Sequence, residues 1–132
     1  MTDTLMTIRE MCDAYDVTPR TLRFYESKEL LSPIRQGQKR LFTHRDRARL
    51  TLILRGKRFG FSLEQIRQLL DMWDGGRGQV AQLDRTIEVG RERLDELRRQ
   101  RDELDNAIED LQGQLSGAER MLDAMRTPHA AE

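Results

Sequence analysis

Thr18-Pro19-Arg20-Thr21-Leu22-Arg23-Phe24-Tyr25-Glu26 reads as a short helix built to be met from outside. A threonine cap followed by proline in the first turn is a favourable helix start. Leu22 supplies an apolar anchor, and Arg20, Thr21, Arg23 and Tyr25 surround it with donors and flat surfaces. Upstream, Thr7-Ile8-Arg9-Glu10 has the spacing of a capping box and predicts a helix to about Ala14, with Ile8 and Met11 inward. Tyr15, Asp16 and Val17 separate the two. Two short helices so joined fit a helix-turn-helix. The second of them, 18–26, is then the recognition helix of a DNA-binding protein.

Downstream, Leu30-Leu31-Ser32-Pro33 closes the helical region, since proline disfavours helix at the residue before it. Gly37 is a turn residue, and Leu41-Phe42 predicts a short strand paired with residues near Ile34. The result is a small wing with a basic tip of Arg35, Lys39 and Arg40; taken alone, the same residues also fit a solvated loop. Thr43 and Asp46 predict a third helix to about Phe59, with Leu50, Leu52, Ile53 and Leu54 on its apolar side. Arg47, Arg49, Arg55, Lys57 and Arg58 make its basic side. After Gly60-Phe61, the box Ser62-Leu63-Glu64-Gln65 opens a fourth helix through about Met72, with Leu63, Ile66, Leu69 and Leu70 at helical spacing.

Three glycines among Gly75-Gly76-Arg77-Gly78 cannot continue a stable helix. The sequence therefore divides into a winged helix-turn-helix head at 1–74, a linker at 75–78, a coiled-coil and effector region at 79–127, and a frayed end at 128–132. Trp73, the one tryptophan, stands at the junction. It fits either packing or the lining of a small-molecule effector pocket. From Leu83, alternating steps of four and three land on Ile87, Gly90, Leu94, Leu97, Arg101, Leu104, Ile108, Leu111, Leu115, Ala118, Leu122 and Met125. Eleven of these thirteen positions are apolar, a sustained coiled-coil seam. One helix cannot bury such a seam against itself, so a second copy is the simplest partner, parallel or antiparallel. Gly113 and Gly117 predict a weak point and a short last helix from Ala118 to about Arg126.

The formal net charge is zero but unevenly placed. Residues 18–60 carry twelve Lys or Arg against three Asp or Glu (+9), and residues 75–132 carry nine against thirteen (−4). A basic front and an acidic rear fit an anion-binding head on a solvated tail. With 35% charged residues and no apolar run long enough for a membrane span, the chain is expected to be a soluble cytoplasmic protein. Its start, Met1-Thr2-Asp3-Thr4, is not a secretory signal. Cys12 is the sole cysteine, which excludes an intramolecular disulfide or a multi-cysteine metal site. It fits a small packing residue better than a redox group. Neither a nucleophile–base pair nor a cofactor motif appears, so no enzyme, cofactor or metal is expected.

These pieces in this order resemble the MerR family of bacterial transcription regulators. The matching residues are Thr7-Ile8, Val17 to Glu26, Leu30-Leu31-Ser32-Pro33, Arg40-Leu41-Phe42 and Gly60 to Ile66. The resemblance implies an all-α fold with a small β wing, whose long last helix forms an antiparallel coiled coil in a homodimer. It implies binding to double-stranded promoter DNA with overlong spacers, which is twisted and bent so that RNA polymerase can use it when an effector is present. Asp16 and Glu29 stand where the family usually has glycine, and the wing reads Gly37-Gln38-Lys39-Arg40 rather than Gly-Tyr-Arg. The wing and Leu52 to Arg58 look most like a branch regulating branched-chain amino-acid or acyl-CoA catabolism.

On this reading Arg20 and Arg23 are the candidates for reading bases, because a guanidinium meets guanine with two hydrogen bonds. Thr21, Tyr25, Arg35, Lys39, Arg40, Lys57 and Arg58 are candidate phosphate contacts, which set position. Arg23 has an alternative role, pairing with Glu26 or Glu29 to brace the fold; Leu22 and Phe24 are expected in the core. Leu83, Ile87, Leu94, Leu97, Leu104, Ile108, Leu111 and Leu115 are the dimerisation residues. A rival reading is a coiled-coil adaptor whose basic head binds another anionic partner.

Overall fold

Helix starts in the head follow the capping residues. The computed structural model describes residues 4–75 and 79–127, with the backbone alone for 73–75 and 79. Thr7 Oγ1 accepts from the Glu10 amide at 3.1 Å while Glu10 Oε1 accepts from the Thr7 amide at 2.9 Å, opening α1 (Ile8–Tyr15). Thr18 accepts from the Thr21 amide and Pro19 takes the first turn of α2 (Pro19–Ser27). Reciprocal boxes at Thr43–Asp46 and Ser62–Gln65 open α3 (His44–Phe59) and α4 (Leu63–Gly75). Each satisfies amides that a helix start would otherwise leave without partners.

The first three helices end alike. A residue in the left-handed region follows each one: Asp16 at φ 54°, Glu29 at φ 60° and Gly60 at φ 84°. The next amide reaches back five residues, from Val17 to Cys12, Leu30 to Tyr25 and Phe61 to Gly56, the bond that defines a Schellman ending. Asp16 and Glu29 are the two positions where the family resemblance led us to expect glycine.

Three short strands, β1 (Met6–Thr7), β2 (Ile34–Gln36) and β3 (Lys39–Phe42), form an antiparallel sheet with β3 in the middle. The wing's register pairs Ile34 with Leu41, Arg35 with Arg40 and Gln36 with Lys39. Gly37, at φ 60°, is the first of the two loop residues, a position that favours glycine in tight hairpins. The hairpin is where the sequence predicts it. Strand β1, which pairs Met6 with Phe42 and Thr7 with Leu41, was not foreseen.

One core joins the head's four helices and β3: Met11 from α1, Leu22 and Tyr25 from α2, Leu30 and Leu31 from the following loop, Phe42 from β3, Leu50 and Ile53 from α3, Ile66 and Leu70 from α4. Phe24 is not part of it. Its side chain is 44% exposed, and the neighbouring Tyr25 takes the inward place. Helices α3 and α4 meet closely at Gly56, where an added Cβ would lie 2.7 Å from Ile66 Cγ1.

The chain divides into two compact units after Thr86. In the first, Thr86 Oγ1 lies 3.4 Å from Met72 Sδ as a hydrogen-bond donor. The second consists of the rest of α5 (Gln79–Arg126), a single 48-residue helix. It runs unbroken through Gly113 and Gly117, where the sequence left a break open, because each glycine lowers propensity without removing a backbone donor. Along α5, Leu83, Ile87, Leu94, Leu104, Ile108, Leu111, Leu115, Leu122 and Met125 are all exposed, and Leu97 is half-buried. Of the linker assigned to 75–78, only Gly75 lies within the described residues, where it closes α4. The end assigned to 128–132 lies outside them, as does the Trp73 side chain.

Candidate nucleic-acid interface

On α2 the arginines point to solvent. Arg20 and Arg23 are exposed, and neither makes an ion pair among the described residues. The alternative pairing of Arg23 with Glu26 or Glu29 is therefore not formed; Glu26 turns to the wing instead. Thr21 is partly engaged in the cap, with its hydroxyl 2.8 Å from Thr18 Oγ1. The Tyr25 ring is buried, and burial pushes its phenol pKa up. The ring anchors the helix in the core, with the residue only 5% exposed.

The end of α2 is clamped by charged side chains from α3 and α4. Arg67 Nη2 donates to the Lys28 carbonyl. Arg49 Nε donates to the Leu30 carbonyl at 2.8 Å, and Asp46 Oδ1 accepts from the Ser32 amide at 3.0 Å. Asp46 Oδ2 also accepts from the amide and hydroxyl of Thr43, each at 3.2 Å. Asp46 and Arg49 are both buried, and groups so charged are tolerated inside only when hydrogen-bonded. Arg49 thus leaves the basic face to which the sequence assigned it. Arg47 is likewise engaged, its Nη1 donating to the Thr4 carbonyl at 2.6 Å.

The wing is tied to α2 by one carboxylate. Glu26 Oε2 lies 3.3 Å from Arg35 Nε and its Oε1 lies 2.5 Å from Arg40 Nε. Lys39 is exposed at the wing tip. The structure therefore brings Arg35 and Arg40 to α2 but through an acid rather than as free cations. Lys57 and Arg58 are exposed in the last turn of α3, where positive charge suits the helix dipole. Neither contacts α2 or the wing through a hydrogen bond or ion pair. Cys12 is half-buried, and its thiol is pushed up by desolvation, then by Asp13, with Arg23 opposing; a raised thiol pKa disfavours the reactive thiolate.

Two of these features were within reach of the sequence. Counting from Leu22, helical spacing selects Tyr25 at i+3 for the core and leaves Phe24 at i+2 outside. In α3, positions 46, 49, 50, 53 and 56 follow one helical stripe, so Asp46 and Arg49 share the buried side with Leu50 and Ile53. Glu26's wing contacts carry no local signal.

The architecture has known counterparts. A family model described as MerR HTH family regulatory protein matches residues 6–73, about half the chain, and one described as MerR, DNA binding matches residues 47–114. The chain belongs to the MerR family. An HTH-type transcriptional regulator of Pseudomonas aeruginosa is 31% identical over 115 residues, covering 82% of this chain and 86% of that one. The Escherichia coli regulator ZntR is 40% identical over 67 residues; the match spans 49% of this chain and about half (48%) of ZntR. Among solved MerR structures, HiNmlR, a regulator lacking the sensor domain and bound to promoter DNA, aligns with a TM-score of 0.70. At 22% identity over 95% of this chain and 98% of that one, HiNmlR shares the fold. PbrR691 of Ralstonia metallidurans, solved with lead(II), is 37% identical with a TM-score of 0.52, covering 76% and 84% of the two chains.

Proposed function

We propose that the protein is a MerR-type transcriptional regulator that binds a near-palindromic promoter operator as a homodimer and distorts its spacer. The observation that carries this is α2 itself: a helix with Arg20 and Arg23 exposed and unpaired, fixed at its end by Arg49, Asp46 and Arg67. A pre-positioned helix with free guanidiniums is what major-groove reading requires. The row of exposed leucines and isoleucines on α5 supports pairing with a second copy, because contiguous exposed apolar surface marks an interface. An antiparallel coiled coil over 79–127, with 1–74 as the DNA-binding head and 75–78 as linker, is the arrangement proposed. Two equal heads call for two half-sites, and bending the DNA between them costs on the order of a few kcal/mol.

The proposed effector is a small organic metabolite, in keeping with the likeness to regulators of branched-chain amino-acid or acyl-CoA catabolism. The sequence offers one thiolate, Cys12, to a metal. As the one tryptophan, Trp73 provides a direct probe: acyl-CoA thioesters and branched-chain amino acids are each titrated against its fluorescence, with saturable quenching expected from the effector class.

Mobility shift with the DNA upstream of the protein's own gene tests the central reading. A specific shift at moderate salt that weakens steeply as salt rises is expected. Its absence would favour the rival, an adaptor with a basic head. Arg20→Ala is expected to flatten the preference between operator and mismatched duplexes, by about 1–3 kcal/mol at the affected base pair. Lys57→Ala should weaken all duplexes alike.

A further inference from the structure

The wing's register sets two like charges face to face. Arg35 and Arg40 are directly opposed on β2 and β3, and like charges so placed repel. Glu26, projecting from α2, answers both: each of its oxygens meets the Nε of one guanidinium, at 3.3 and 2.5 Å. The Glu26 and Arg40 side chains are only 21% exposed, which shields this pair more than an ordinary surface salt bridge. Elsewhere on α2 and β3, Arg20, Arg23 and Lys39 have no acidic partner among the described residues. Among the described residues, Glu26 is thus the one acid paired with the wing arginines.

We propose that Glu26 is a positioning residue that determines specificity: it holds the wing arginines in a fixed direction and filters which phosphates they can meet. The inference rests on the DNA-binding reading above. A guanidinium has five N–H donors in a rigid fork. Glu26 occupies the Nε edge and leaves the Nη groups. A phosphate in line with those groups binds without breaking the pair. A phosphate elsewhere requires the guanidinium to swing away from Glu26, so the gain from counterion release on an arbitrary duplex is reduced. One carboxylate therefore lowers non-specific affinity while preserving the contact made in register.

The test compares wild type with Glu26→Gln, which keeps the shape and removes the charge. Each is titrated with an operator fragment, mapped by footprinting on the upstream DNA, and with a random-sequence duplex over a series of KCl concentrations. In the variant, random-duplex binding is expected to tighten roughly fivefold, with the log–log salt slope steeper by about one to two. Operator affinity should change less, so the ratio of specific to non-specific binding falls. An unchanged ratio and slope would overturn the proposal. So would parallel weakening on both duplexes with a lower melting temperature, which would make Glu26 a brace alone. Should Glu26→Gln not fold, Arg35→Gln/Arg40→Gln in the wild-type background gives an independent measure. It should weaken operator binding and leave the random-duplex slope unchanged; a shallower slope there would show that Glu26 was not restraining the arginines. A wild type without operator preference would sink the DNA-binding reading itself, an outcome visible before any variant is compared.

Discussion

The two units of this chain treat apolar residues in opposite ways. The head brings Met11, Leu22, Phe42, Ile53 and Ile66 together from five elements until each is fully buried. Its buried polar groups are all partnered among the described residues. Helix α5 instead leaves a regular row of leucines and isoleucines in solvent, although they repeat as faithfully as any core stripe. Periodicity alone tells that a face will be covered. Whether the cover comes from the same chain depends on whether the chain turns back, and α5 itself runs 48 residues without a turn.

The strongest way to break this contrast is Leu104→Lys. It should abolish the proposed dimer and leave the head's fold intact, as read by mass in solution beside circular dichroism; an unchanged mass would mean that the seam is misread. Next, Ile53→Ala should cost about 2–5 kcal/mol of stability whatever the protein concentration. The matching change in the tail, Ile108→Ala, should show a loss that varies with concentration, since a dimer's stability depends on it. Gly56→Ala comes third. The added methyl meets the fully buried Ile66, so overpacking of about 1–3 kcal/mol outweighs the helix propensity of about 1 kcal/mol gained. Denaturant melts would detect the net loss.

Smaller effects come from the helix ends. Glu29→Gly should raise stability by up to about 1 kcal/mol and Asp16→Gly by less, because aspartate visits the left-handed region more easily than glutamate. Reversal of that order would show that the Asp16 side chain contributes more than strain. Smallest is the Glu10 cap. Its hydrogen bonds to Thr7, backbone first, hold the carboxyl below its ordinary value of 4.5. A lowered carboxylate stabilises the fold above the unfolded-state pKa, and that contribution is lost as pH falls through the folded one. The stability difference between wild type and Glu10→Ala should therefore shrink below about pH 4.5; a difference constant from pH 7 to pH 3 would contradict it.

What the sequence disclosed was mostly local. The capping boxes at Thr7 and Ser62, the capping threonine at Thr43 and the pairing of Leu41-Phe42 with residues near Ile34 all involve partners within a few residues. So does α2, whose start at Thr18 and Pro19 was read directly. The unread features join distant positions. Strand β1 meets β3 across more than thirty residues, Asp46 reaches back to Ser32, and Glu26 forward to Arg35 and Arg40. A charged residue in a basic helix looks like surface until its stripe is compared with the apolar one, which is why Arg49 was misplaced. The same phase error put Phe24 inside and left Tyr25 out. Charge excess identified the face of the molecule to inspect, but not that two of its arginines were already engaged.

Arg40 and Phe42 stand two residues apart on β3, so the pleat places them on one side of the strand. Phe42 in the core and Arg40 on Glu26 are consequences of a single parity. Length changes at the Gly37-Gln38 tip leave that parity untouched. An insertion or deletion of one residue between Arg40 and Phe42 cannot keep both contacts, since one of the two side chains would emerge on the opposite face. Relatives that keep this wing should accordingly vary in length at the tip and keep a constant spacing beyond it.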